Sequence, residues 1–225
     1  GLVDDYTQLK YKVAMATRAS EPPLIDGHID DTAWGAAAVI NEFYQFEPFN
    51  LEAPSVQTDV RVLFDDKYLY VSFYNHDAEP DKIMGRLARR DDWETGFGFN
   101  ADWIGIGIDA NNDDKTGYWF ALNAAEVQLD VTIAGDGHGA YDGTWNAVWD
   151  GKVTLHENGW SAEIRIPFSV FQYPRGTIQE WGVLFGRGNY RMQEEMHWPG
   201  RAKGVRGIVP HYGILQGLQN IPQPK

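Results

Sequence analysis

Asp109, Asn111 and Asp113 stand at i, i+2 and i+4 in the stretch "DANNDDKTG", with Asp114 beside them. A tight loop with that spacing can aim three side-chain oxygens at one point, and calcium takes about six to eight oxygens at roughly 2.3–2.6 Å. The same residue types also make an ordinary solvated turn, and no bidentate glutamate follows as in an EF-hand. Just upstream, "WIGIGID" (103–109) puts Ile104, Ile106 and Ile108 on one face of an extended strand and Trp103, Gly105, Gly107 and Asp109 on the other. Two more segments repeat the habit. Trp119, Ala121 and Asn123 share a parity in 117–123, as do Gly182, Leu184, Gly186 and Gly188 in 181–191. Side by side, three such strands would form a bed, small at the centre and large at the ends, where a flat partner settles against backbone. Trp93, Phe99 and Trp198 are candidate walls, and Asn123, Gln128, Arg187 and Arg191 are candidate polar ends. With equal weight, the protein's own rings could fill the depressions.

Other carboxylates compete for a cation: Asp77, Asp91, Asp92 and Asp102, and Asp136 and Asp142 among the glycines of 134–145. Arg89, Arg90 and Asp91 read instead as a partly buried ion-pair network, which fixes geometry more than it stabilises. The chain has no nucleophile elbow, no H-E-x-x-H and no phosphate-binding glycine loop. Glu194 and Glu195 in "MQEEMHW" read as a rim. No spacing sets two carboxylates about 5–10 Å apart across a cleft, as glycoside hydrolysis requires, so a non-catalytic protein is expected.

The elements that must position these groups are strands. "VQTDVRVLF" (56–64) alternates cleanly and turns through "DDK" into "YLYVSFY", while "KVTLHENGWSAEIRIPF" is a second hairpin turned at Asn158 and Gly159. The latter sends Trp160, Ala162, Ile164 and Ile166 inward and Ser161, Glu163 and Arg165 outward. Asp30 or Asp31 opens a helical turn that carries Trp34 inward, and "SVFQY" is another. Short strands, strong turn signals and little helical periodicity predict an all-β fold, a single antiparallel β-sandwich of jelly-roll type with short helical turns. It would span residues 13–219, after an N-terminal segment (1–12) and before the start of a linker (220–225). The 225 residues carry a net charge of −13, which argues against nucleic acid as a partner. With no cysteine there is no disulfide framework and no thiolate metal site.

"LIDGHIDDTAW", "VRVLFDDKYLYVSFYNHD", "DWIGIGIDANNDDKTGYWFALN" and "GWSAEIRIPFSVF" occur in the order seen in family-9 carbohydrate-binding modules, and the resemblance runs from about Val13 to Leu218. "DGTWNAVWDGKV", "WGVLFGRGNYRMQEE" and "HYGILQGL" resemble in particular the branch in which such a domain precedes an outer-membrane β-barrel in bacterial envelope proteins. The resemblance implies a β-sandwich, structural calcium, a cell-envelope location and a sugar-recognising surface. Its partners would be an oligo- or polysaccharide and the protein's own barrel. A sugar ring, apolar on its faces and edged with hydroxyls, suits a bed with aromatic walls and polar ends. By the same resemblance, however, sugar-binding members place a glutamate, an arginine and a glutamine where Gly105, Ala121 and Gly186 stand. Their two sandwiching tryptophans fall near Phe99 and near residues 205–206. The pocket is therefore expected to be either remodelled or filled. Two alternatives follow: an interaction or gating domain without sugar binding, and a haem-binding domain with Met84, Met192, Met196 or His197 as axial ligands.

Overall fold

The computed structural model describes residue 9, residues 11–134 and residues 141–224. Asp136 lies outside them, as does nearly all of the N-terminal segment. The described residues form thirteen strands: β1 (Val13–Arg18), β2 (Tyr44–Glu47), β3 (Thr58–Phe64), β4 (Tyr68–His76), β5 (Trp103–Asp109), β6 (Gly117–Asn123), β7 (Gln128–Ile133), β8 (Tyr141–Asp142), β9 (Asp150–His156), β10 (Gly159–Pro167), β11 (Ile178–Asn189), β12 (Glu194–Trp198) and β13 (Gly213–Gln219). Among the described residues two α-helical turns accompany them, α1 (Thr32–Gly35) and α2 (Trp93–Gly96), with 3-10 turns at Pro80–Lys82, Phe168–Val170 and Val209–His211.

The strands make a sandwich. One sheet runs β8-β7-β6-β5-β11-β13-β1, and the other β1-β3-β4-β10-β9. Along one edge of β11, β13 pairs with the first half of the strand and β12 with the second, and β2 extends β12. Strand β1 belongs to both sheets: Val13–Met15 lie beside β13 and Ala16–Arg18 beside β3, each in parallel. The expected antiparallel pattern holds everywhere else. Parallel pairing is possible here because long stretches of chain, not hairpins, connect β1 to both partners.

Alternation built the core as expected. Ile104, Ile106, Ile108, Phe120, Val183 and Phe185 of the first sheet meet Val62, Val71, Phe73, Trp160, Ile164 and Ile166 of the second. The outward face of β10 departs from expectation: Ser161 and Glu163 are fully buried. The segment before α1 folds over them, so Glu163 accepts from Trp34 Nε1 (2.9 Å) and from the backbone N–H of Gly27 (2.8 Å) and Asp26 (3.1 Å). At the other end, the tail is docked: Ile221 joins the core, the Tyr173 hydroxyl donates to the Pro222 carbonyl, and Gln223 Oε1 accepts from Gly176 N (2.9 Å).

Burial pushes Glu163 from its ordinary 4.5 up to about 7, and pushes Asp102, whose Oδ1 accepts from Met84 and Tyr190 N–H, from 3.8 up to about 6. Both folded values lie above the unfolded ones. The stability these groups contribute is therefore fully present below pH about 4 and is lost as pH rises through about 6 to 7. The midpoint of thermal unfolding should fall from pH 5 to pH 8, and Glu163→Gln should flatten that slope. A midpoint that rises over the same interval would contradict this placement.

Candidate functional site

The three strands do present their small residues together. Gly186 of β11 lies opposite Gly105 of β5, which lies opposite Ala121 of β6; Leu184, Gly107 and Trp119 form the row on one side of these, and Gly188, Trp103 and Asn123 the row on the other. This is the outer face of the larger sheet, since Ile104, Ile106 and Ile108 point into the core.

The hollow they leave is occupied by the protein's own rings. A Cβ at Gly105 would sit 2.3 Å from Trp119 Cζ2, one at Gly188 2.0 Å from Trp103 Nε1, and one at Gly107 2.3 Å from Tyr212 Oη. At Gly186 it would meet Trp119 at 3.2 Å and Trp103 at 3.3 Å. Two indoles and a phenol thus lie on bare backbone, where the family resemblance would have put the polar side chains of a sugar site. At Gly105, Gly107 and Gly188 glycine is required because any side chain would collide with the rings.

Those rings become the floor of a cavity of about 460 Å³. Trp93 continues the aromatic surface, edge-on to Trp103 (centroids 5.1 Å, 63°) and stacked on Phe97 (5.8 Å, 4°), while Trp103 meets Trp119 edge-on (6.2 Å, 76°). Leu129 and Val131 of β7 line one wall. From the opposite side come Glu195 and His197 of β12, then Arg201 and Tyr212.

These polar groups are only partly satisfied. His197 Nε2 lies 3.2 Å from Glu195 Oε2, and its ring stacks on Phe46 at 4.9 Å. Burial raises the Glu195 carboxyl, but the His197 hydrogen bond and the charges of His197, Arg201 and Lys203 together hold it below the usual range. The Arg201 guanidinium lies over the same Phe46 ring at 4.2 Å, and burial lowers its pKa. Burial raises the pKa of the Tyr212 phenol well above its ordinary value, so it remains a donor. Tyr212 Oη, His197 Nδ1 and Arg201 Nε are buried without a hydrogen-bond partner. Such groups cost about 1–3 kcal/mol each when left unpaired, which a ligand with matching polar atoms recovers.

Of the seven residues placed around the bed by sequence, the structure brings Trp93 alone to the cavity. Phe99 is exposed elsewhere, its carbonyl accepting from Gln193. Asn123 is fully buried and spent on backbone: its Nδ2 donates to the Arg86 and Gly96 carbonyls and its Oδ1 accepts from Ala125 and Val127. Gln128 holds Arg90 and the Trp149 carbonyl. Arg187 alternates with Gly186 and Gly188, so it points between the sheets and is fully buried there. Arg191 is paired with Asp77 (2.6 Å) and Glu79 (2.9 Å). Trp198 packs on Phe185 in the core, on the opposite side of β12 from His197.

The loop after β5 does not fit the three-oxygen site. Asp109 is buried, and its two oxygens accept from Asp113 N (3.3 Å) and Asp114 N (2.9 Å). Asp113 accepts from Lys115 N, Thr116 N and the Thr116 hydroxyl, while Asn111 is exposed. These carboxylates close a turn. Among the described residues no group of three or more His, Cys, Asp or Glu is placed to hold a metal. Arg90 does form a network with Asp91 (3.7 Å), Asp130 and Gln128 (2.6 Å). The haem ligands do not converge, because Met196 is in the core while its neighbour His197 faces the cavity. Nor do Glu194 and Glu195 face each other: Glu194 is buried against the N–H and hydroxyl of Ser55.

Sequence reasoning missed Arg201 and Tyr212 entirely and treated Trp103 and Trp119 as the ends of the bed. The available signal was that each glycine gap has an indole one strand away on the same face.

The model of the carbohydrate family 9 binding domain-like family matches residues 25–182. No curated protein sequence matches the chain. Among solved structures, the family-9 carbohydrate-binding module of Caldicellulosiruptor kristjanssonii superposes with a TM-score of 0.62 as its cellotriose complex and 0.63 as its glucose complex, at 15% identity. The matches cover 91% of this chain and 93% and 95% of those. A Bacteroides uniformis protein with a proposed carbohydrate-binding role superposes with a TM-score of 0.67 at 13% identity, covering 91% of this chain and 98% of that one. At such identities the likeness concerns the fold, which is the β-sandwich described above. With more than half of its length matched by the family model, the chain belongs to the carbohydrate family 9 binding domain-like family.

Proposed function

We propose that the chain is a non-catalytic saccharide-binding module whose ligand occupies the cavity over the glycine-backed face of the larger sheet. The observation that carries this is the pairing of a three-indole surface with buried, unpartnered donors and acceptors at one end of the cavity. A pyranose offers the complement: C–H faces for the indoles and equatorial hydroxyls for Glu195 and His197. The solved relatives bind cellotriose and glucose, which supports a saccharide as the ligand class. The site differs from that implied by the family resemblance, because Trp119 and Trp103 occupy the space over Gly105 and Gly186.

Isothermal titration against a panel of mono- and oligosaccharides tests the reading, with tryptophan fluorescence as an independent report from the cavity. Trp93 is 37% exposed, so Trp93→Ala should fold normally. The variant should lose about 0.5–1.5 kcal/mol of stacking, up to roughly tenfold in affinity. A protein that binds no saccharide, or a variant that binds as tightly as the parent, would sink the reading.

The envelope location and the barrel partner rest on the motifs shared with barrel-linked envelope domains. Fractionation of the source cells should recover the domain with the envelope; recovery in the cytosol would overturn that part. The occlusion of the glycine face by the protein's own rings favours, as a second reading, a docking domain that binds no sugar. Co-purification with the barrel, together with a blank saccharide panel, would select it.

A further inference from the structure

Arg201 sets this cavity apart from a site for neutral ligands. Among the described residues it is the only arginine or lysine lining the cavity, and no carboxylate forms an ion pair with it. Its guanidinium lies over the face of Phe46 at 4.2 Å, and its Nε is buried without a partner. Glu195, the acid nearest in charge, is engaged by His197 at 3.2 Å. The neighbouring Lys203 is already paired with Glu47 at 2.5 Å. A partly desolvated guanidinium with a free fork gains most from a planar, negatively charged acceptor, which it meets with two parallel hydrogen bonds.

Building on the saccharide reading, we propose that the sugar taken by this cavity is a uronic acid, its carboxylate held by Arg201 and its ring lying on Trp103 and Trp119. His197 and Glu195 then meet ring hydroxyls. His197 Nε2 faces Glu195, which leaves its unpartnered Nδ1 for a ring hydroxyl, and Glu195 accepts through its second oxygen. The chain's net charge of −13 opposes a long polyanion running over the surface. A cavity of about 460 Å³ matches one or two sugar residues, so the preference is for a chain end or a short oligosaccharide.

The experiment is titration of the wild-type protein, at pH 7, with glucuronic and galacturonic acids and their oligomers. The same sugars as neutral methyl esters, and glucose and galactose, serve as the comparison. The acids should bind at least tenfold more tightly than esters or neutral sugars. Arg201→Gln should erase that preference, bringing the affinity for the acids down to that for their methyl esters. Comparing acid with ester needs no variant, so the proposal stays testable if Arg201→Gln misfolds. Esters and neutral sugars that bind as tightly as the acids would overturn the uronate assignment and leave the saccharide reading standing. No binding of any sugar would overturn both. A preference for acids that survives intact in folded Arg201→Gln protein would overturn the role given to Arg201.

Discussion

Gly105→Val is expected to lower ligand affinity at least tenfold and to destabilise the fold by about 1–3 kcal/mol, the usual cost of overpacking a close-packed site. The new Cβ would lie 2.3 Å from Trp119 Cζ2 and 2.5 Å from Cη2, closer than any real contact. On either side the sheet is fixed: Gly105 is hydrogen-bonded into β5 between β6 and β11, so backbone shift is costly. The indole must yield, and the sheet beneath it leaves only the cavity to move into. Floor and ligand space are then lost together. Urea unfolding and titration of the same preparation check both effects, and Trp119 should report the displacement as changed fluorescence. Gly35→Ala is the control, since a Cβ there meets nothing within 4 Å and should change stability by no more than about 0.5 kcal/mol. Full affinity and unchanged fluorescence in Gly105→Val would mean that the ring does not rest on this glycine.

Arg187→Met should cost more stability, about 3–5 kcal/mol, and should leave saccharide affinity of the folded protein unchanged. Arg187 is fully buried between the sheets, where it donates to the carbonyls of Gln57 (2.9 Å) and His76 (2.9 Å) and to Thr58 Oγ1 (3.2 Å). It thereby ties β11 of one sheet to β3 and β4 of the other. Burial lowers its pKa to about 10, opposed by the charges of Asp102, Asp77 and Glu194, so the cation persists at neutral pH. Methionine matches the stem but leaves the carbonyls unpaired and the acids without their cation. The deficit should therefore grow from pH 5 to pH 8, as Asp102 passes through its value near 6. Chemical denaturation at both pH values measures this. Normal stability combined with lost binding would return Arg187 to the ligand site, where sequence first placed it.

The contrast between these two residues shows what could be read in advance. Side-chain direction along a strand is a local property with a period of two. Glycines 105, 107, 186 and 188 could therefore be assigned to one face before any pairing was known, and the isoleucines between them to the core. By that same rule Arg187 faces away from Gly186 and Gly188, so its placement at the ligand conflicted with the alternation itself. Trp198 is similar: it shares a parity with core-facing Met196, not with His197. The hairpins were legible too, because Asn-Gly and Asp-rich turns act over a few residues.

Sequence alone thus determined the family, the all-β architecture and the bare face of the sheet, since each depends on neighbours close along the chain. Tertiary structure decided what lies on that face. Trp103 and Trp119 could have stood upright as walls, and only the strand order laid them across glycines of adjacent strands. Glu195 and His197 reach the cavity because β12 pairs with β11 in one register, opposite Gly188 and Gly186. Arg201 and Tyr212 arrive from loops, whose course no periodicity encodes. Glu163 was polar and outward by pattern, yet it is buried because a segment more than a hundred residues away in sequence closes over it. Direction is set by local backbone geometry, whereas occupancy is set by contacts between residues distant in the chain.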